Sequence, residues 1–128
     1  MKFSTKAEYG LKAVVNLAQA YPKQKTSREI ATEENISLKY LERLLSNLLK
    51  EGIIKSQQGK LGGYVLSMNP SKLKVGQVIE CLEGPISPMR CVGKFCAAKK
   101  SCPSSVVWEE LGMQIHKTLY KINLSTLI

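Results

Sequence analysis

Two helix-start signals and two helix-stop signals crowd into the stretch from Thr26 to Gly52, and few folds tolerate that density. Thr26 is followed three residues later by Glu29, a capping box in which each side chain takes the other residue's backbone N–H. The short helix it opens passes through Ile30 and Ala31 and reaches Asn35, a residue that tolerates the left-handed conformation that ends helices. Ser37 can cap a further helix running to Lys50, with Gly52 as its stop. A short helix, a tight turn and a longer helix make a helix-turn-helix plan.

The longer helix is divided by chemistry. At about 100° per residue, Leu38, Leu41, Leu44, Leu45, Leu48 and Leu49 fall on one side. Lys39, Glu42, Arg43, Ser46, Asn47 and Lys50 fall on the other, flanked by Tyr40. A polar face of this kind is usually only solvated. Its place as the second helix of the pair, in a chain with 19 Lys+Arg against 10 Asp+Glu and a net charge of +9, points instead to a polyanion.

The flanking segments extend the plan. Lys6 to Ala20 carries Leu11, Val14, Val15 and Ala18 at helical spacing, with Thr5 and Glu8 as an expected capping box and Tyr21-Pro22 as its close. After Gly52, Ile53–Gln57 and Tyr64–Ser67 read as two short strands joined by Gln58-Gly59-Lys60-Leu61-Gly62-Gly63. A hairpin directly after a helix-turn-helix is a wing. Its glycines let the backbone approach a phosphate or the minor groove, while Lys60 neutralises charge; a plain connecting hairpin is the alternative. Leu73–Leu82 reads as another helix, stopped by Gly84 and Pro85, with Cys81 as a small apolar residue on it. Ser104–Asn123 reads as a long helix with Trp108, Leu111, Ile115, Leu119 and Ile122 in a heptad-like seam. Such a seam pairs with a second subunit or packs back on its own domain.

The expected fold class is mainly α with a small β-hairpin wing: a winged helix-turn-helix over 1–84, a cysteine-bearing loop over 85–103, and a dimerisation helix with tail over 104–128. At 128 residues the chain is too short for two independent cores, and an apolar fraction of 44% describes an ordinary globular protein. The N-terminus has no apolar signal core and no run of 18 apolar residues occurs, so a cytoplasmic chain with no membrane partner is expected. One histidine and no phosphate-binding glycine motif argue against an enzyme and against a small-molecule substrate. The residues expected to meet double-stranded DNA are Thr26, Ser27 and Arg28, then Ser37, Lys39, Tyr40, Glu42 and Arg43, and in the wing Gly59 and Lys60.

Four cysteines in a reducing compartment read as ligands or redox groups before disulfides. Cys91, Cys96 and Cys102 are spaced C-x4-C-x5-C, wider than the C-x2-C pair of common zinc sites, which suits ligands wrapping a cluster. Arg90, Lys94, Lys99 and Lys100 would favour thiolates. An iron–sulfur cluster, a zinc site, a redox disulfide and an unligated loop all remain open on spacing alone. A fourth ligand is missing from the trio. Ser105 is a poor donor better placed to cap the long helix, His116 reads as a surface residue, and Glu8 could reach the loop from the same subunit or a partner.

The run Ile36-Ser37-Leu38-Lys39-Tyr40-Leu41-Glu42, the wing Gly59-Lys60-Leu61-Gly62-Gly63-Tyr64-Val65-Leu66, the turn Leu82-Glu83-Gly84-Pro85-Ile86 and the cysteine trio together resemble the bacterial winged-helix regulators that include IscR, NsrR and CymR. The resemblance covers nearly the whole chain. It implies a dimeric DNA-binding regulator, a repressor or activator, acting on a pseudo-palindromic site. The CymR branch lacks the cysteines, whereas IscR and NsrR carry clusters. The trio, with Arg90 before it and Trp108 after it, resembles that of IscR, which implies a 2Fe-2S cluster and control of iron–sulfur assembly genes; NsrR-like nitric-oxide or redox sensing is the alternative. Enteric IscR has a histidine ligand where this chain has Ser105, and some relatives use an acidic residue, from the other subunit, at the position of Glu8. Many relatives place an arginine on the wing where this chain has Gln58.

Overall fold

A computed structural model describes residues 2–60, 62–89 and 102–128; Cys91 and Cys96 lie outside them. Helices α1 (Thr5–Ala20), α2 (Ser27–Glu34) and α3 (Leu38–Lys50) are followed by strands β1 (Ile54–Gln57) and β2 (Gly63–Leu66), then α4 (Val75–Glu83) and α5 (Ser105–Lys121). Single 3-10 turns lie at Pro70–Lys72 and Leu124–Leu127. This is the winged helix-turn-helix expected from the sequence.

The same device closes α2 and α3. Asn35 adopts φ 54° and Gly52 φ 74°. Around the first, Ile36 N–H donates to the Ala31 carbonyl at 2.9 Å and Asn35 N–H to Thr32 at 3.4 Å. Around the second, Ile53 N–H donates to Leu48 at 3.0 Å and Gly52 N–H to Leu49 at 3.1 Å. Both are Schellman closures, and both deliver a buried isoleucine, Ile36 or Ile53, back onto the helix just ended. The starts are equally defined. Thr26 Oγ1 accepts from Glu29 N–H at 3.1 Å while Glu29 Oε2 accepts from Thr26 N–H, and Ser37 Oγ accepts from Tyr40 N–H.

Two expected caps are not formed. The residue preceding α1 is Ser4, whose hydroxyl and backbone N–H both bind the Glu83 carboxylate, so α1 begins without a side-chain cap. Thr5 is already helical, and Glu8 faces Lys12 at 3.9 Å instead of the helix start. Ser105 is likewise the first residue of α5, not its cap; it is buried.

The core lies where α1 meets everything else. Ala13, Val14 and Leu17 of α1 are fully enclosed against Leu41, Leu44, Leu45 and Leu48 of α3, Ile30 of α2, Leu66 of β2 and Val78 of α4. Fully burying each large aliphatic side chain contributes about 1.5–3 kcal/mol. Two glycines bring helices close: a Cβ at Gly10 would overlap Leu82, and one at Gly76 would overlap the Tyr120 ring. The hairpin is antiparallel, with Ile54 opposite Leu66 and Gln57 opposite Gly63.

Helix α5 packs the C-terminal part of its seam back on its own domain. Near its C-terminal end Leu119 and Ile122 pack on the core, Tyr120 covers Gly76, and Val75 N–H donates to the Ile122 carbonyl at 2.9 Å. Toward its start Val106, Val107, Leu111 and Met113 are exposed. His116, on the surface as expected, stacks on Tyr120 with ring centroids 4.3 Å apart and stands 3.9 Å from Glu80. No helix among the described residues is long and apolar enough to cross a membrane.

Gly76→Ala tests the α4–α5 contact. Alanine gains roughly 1 kcal/mol of helix propensity, but the overlap with Tyr120 should outweigh it, for a net loss of about 1–2 kcal/mol in urea unfolding. A variant more stable than wild type would mean that Tyr120 does not pack there.

Candidate DNA-binding surface and cysteine segment

Burying one face of α3 settles what the other can do. With Leu41, Leu44, Leu45 and Leu48 turned inward, Lys39, Glu42, Arg43, Ser46 and Lys50 are all exposed on one surface. Arg28 is exposed on α2, and Ser37 is exposed at the turn between the helices. Tyr40 is more constrained than a flanking surface residue. It is half-buried, meets the Tyr9 ring edge-on at 6.1 Å, and places its hydroxyl 3.4 Å from Thr5 Oγ1, so it ties α3 to α1 as well as bordering the polar face.

The wing stands beside this face. Gly62 N–H donates to the Gly59 carbonyl at 3.1 Å, closing a tight turn in which Gly62 takes φ 68°, a conformation open to glycine and costly for most residues. Gln57, Gln58, Gly59 and Lys60 are exposed. Between the wing and the start of α2 lies an open cleft of about 530 Å³ lined by Thr26, Ser27, Gln57, Gly59, Gly62 and Tyr64. Its polar walls include hydroxyls, an amide and the first turn of a helix, groups suited to phosphate oxygens. Thr26, Ser27 and Gly59 are therefore brought to one cleft, and Lys39, Glu42 and Arg43 to one helix face.

Sequence reasoning missed what supports the wing. Lys25, on the α1–α2 link, pairs its backbone with Tyr64 of β2, and Gln24 fills the space beneath Gly59 and Gly63. Neither has a local signature, because the pairing joins residues far apart in sequence.

Of the cysteine trio only Cys102 lies among the described residues. It is half-buried just before α5, with its Sγ 3.2 Å from Ser104 Oγ. Glu8 stands elsewhere. It lines an apolar cleft of about 320 Å³ with Phe3, Ala7, Leu11, Ile79 and Leu119. Leu119 is four turns along α5 from Ser105, about 21 Å at a helical rise of 1.5 Å per residue. Glu8 thus lies beside Leu119 in the C-terminal part of α5, whereas Cys102 precedes its first turn. Among the described residues no group of three metal-ligating side chains gathers.

Cys81, the remaining cysteine, is half-buried on α4; its thiol faces the Asn47 carbonyl at 3.6 Å, and burial pushes its pKa up. That is the apolar, unreactive role its helix position implies.

Comparison with known proteins matches residues 3–128 to the Rrf2 family, described as an iron-dependent transcriptional regulator. The chain belongs to the Rrf2 family. It is 46% identical to the HTH-type transcriptional regulator CymR of Bacillus subtilis over 101 residues, 78% of this chain and 73% of that one. It is 32% identical to the HTH-type transcriptional regulator IscR of Sodalis glossinidius over 130 residues, 100% of this chain and 79% of that one. Among solved structures, CymR, the global cysteine regulator of B. subtilis, superposes with a TM-score of 0.81 at 34% identity, covering 99% of this chain and 95% of that one. IscR of T. potens gives 0.78 at 34% identity, covering 99% and 85%. The Rrf2 chain described here is a transcriptional regulator and not an enzyme.

Proposed function

We propose that this Rrf2 regulator binds a pseudo-palindromic operator as a homodimer and that an iron–sulfur cluster held by its cysteine segment adjusts that binding. The observation that carries the DNA-reading part is the shared outward face of α3 with the wing cleft beside it. Each α3 enters a major groove, the two helices lying in successive grooves about 34 Å apart on one side of the duplex. Lys39 and Tyr40 meet phosphates. Glu42 and Arg43 reach base edges, the carboxylate accepting from a cytosine amine and the guanidinium donating to guanine. Thr26, Ser27, Arg28 and Ser37 meet the backbone beside them, and Gly59 and Lys60 follow it from the wing. Gln58 stands on the wing as a neutral group, so its minor-groove contact is weaker than an arginine's.

Dimerisation is supported by what α5 leaves uncovered. Val106, Val107, Leu111 and Met113 form an apolar surface on its first half, and the cleft lined by Phe3, Leu11 and Leu119 is a complementary apolar surface. Residues 1–84 then form the reading domain, 85–103 the cluster loop, and 104–128 the dimerisation helix and tail.

Cys91, Cys96 and Cys102 are the three thiolate ligands. Glu8 is the fourth, from the same subunit or the partner; its carboxylate is exposed and only loosely paired with Lys12. The donor set fits a 2Fe-2S cluster, which when bound supplies redox and oxidant-sensitive chemistry. An oxygen ligand makes the site more readily lost than four thiolates, so occupancy reports iron–sulfur supply and fits control of cluster-assembly genes, most simply by repression. The trio separates the chain from a cluster-free regulator of the CymR kind. NsrR-like sensing of nitric oxide uses the same ligands and differs in signal.

Two measurements test the reading. In binding titrations across salt, Glu42→Ala should change which sequences are preferred, whereas Lys39→Ala should weaken all sequences together and lower the salt slope by about 1. Equal losses on every sequence for both variants would contradict the assignment. Anaerobically purified protein should carry iron and acid-labile sulfide in equal amounts, and Cys91→Ala should lose both and change DNA affinity while staying dimeric. Zinc alone, with no cluster accepted on reconstitution, would make the loop a structural site.

A further inference from the structure

The hairpin that forms the wing is thinly anchored. Ile54, Val65 and Leu66 at its base are buried, but Lys55 through Lys60 are exposed. Its outer half is held by the β1–β2 pairing, by Tyr64 packed against the core and by two backbone bonds from Lys25.

Lys25 holds the wing with its backbone and the helix-turn-helix with its side chain. Its N–H donates to the Tyr64 carbonyl at 2.9 Å, and its carbonyl accepts from Tyr64 N–H at 2.8 Å. Its ammonium turns to α2 and binds both oxygens of Glu33, Oε2 at 2.8 Å. Glu33 in turn accepts from Nδ2 of Asn16, a buried residue of α1 that also donates to Glu34 at 3.1 Å. Beside Lys25, Gln24 Nε2 lies 3.0 Å from where a Cβ on Gly59 would stand, so the wing turn rests on that amide.

We infer that Lys25, through its ion pair with Glu33, is a positioning residue that sets the orientation of the wing relative to α3, and so where the wing backbone meets DNA. This rests on the DNA-reading surface proposed above. Its ammonium is not a phosphate contact: it is engaged by both carboxylate oxygens and its side chain is only 20% exposed. The Glu33 carboxyl is pushed down from its ordinary value, chiefly by the hydrogen bond from Lys25, so it stays ionised at neutral pH. A cation already neutralised inside the protein releases few counterions from DNA.

The variants Glu33→Gln, Lys25→Met and the charge swap Lys25→Glu/Glu33→Lys separate the possibilities. In the free protein, amide hydrogen exchange at Tyr64 should quicken about three- to fivefold in the two single variants and return toward wild type in the swap, the range expected for one partly exposed ion pair. Exchange at Leu44 and Leu45 should not change. On a duplex that wild type binds, hydroxyl-radical protection by the wing should weaken in the single variants while major-groove protection persists, and the swap should restore it. Tighter binding by Glu33→Gln would show a lysine freed to contact phosphate and would overturn the inference, as would unchanged Tyr64 exchange in both single variants. If wild type protects no duplex, the regulator reading fails, and the exchange data still decide whether Lys25 holds the wing.

Discussion

The burial of the leucine face of α3 against α1 sets the rest of the molecule. Once Leu41, Leu44, Leu45 and Leu48 are enclosed, the rotation of α3 about its axis is fixed, and Lys39, Glu42 and Arg43 have one direction left. The closure at Gly52 then carries Ile53 and Ile54 into the same core, so the wing departs from a buried point instead of a free end. Truncating any of these leucines to alanine would cost about 2–5 kcal/mol. The reading helix and the wing thus share one origin, and their relative placement is a packing result first and a polar one second.

Helix α5 differs in burial along its length. Its C-terminal half is bound to α4 through Tyr120 over Gly76, His116 beside Glu80 and the chain pairing at Val75 and Ile122. Its N-terminal half carries Cys102 away from the core and exposes apolar side chains. Helix α4 meets Ser4, just before α1, at Glu83 and α3 at Cys81.

How legible this was depended on locality. The Thr26–Glu29 box, the turns at Asn35 and Gly52 and the two faces of α3 are written in residues three or four apart, and each appears where the sequence places it. The Thr5–Glu8 box is absent because the helix starts one residue earlier: Ser4 is its N-cap, its carbonyl accepts from Glu8 N–H, and its own N–H and hydroxyl bind the distant Glu83 carboxylate. The seam of α5 gave the helix but not its division, since burial of its last turns follows from Gly76 and the fold of the tail. Lys25 and Asn16 escaped notice for the same reason: a lone lysine in a link and a polar residue in an apolar helix have no meaning until Tyr64 and Glu33 are brought to them. Glu8 was legible as a carboxylate near the start of α1 but not as one lining an apolar cleft beside Leu119.

The central claim is the pairing of two α3 faces across one duplex. Selecting bound sequences from a pool of random duplexes with the wild-type protein measures this directly, whatever the operator. Two inverted half-sites should be enriched at a single spacing that puts both major grooves on the same side of the DNA. Enrichment of one isolated half-site, or of half-sites at no fixed spacing, would contradict it.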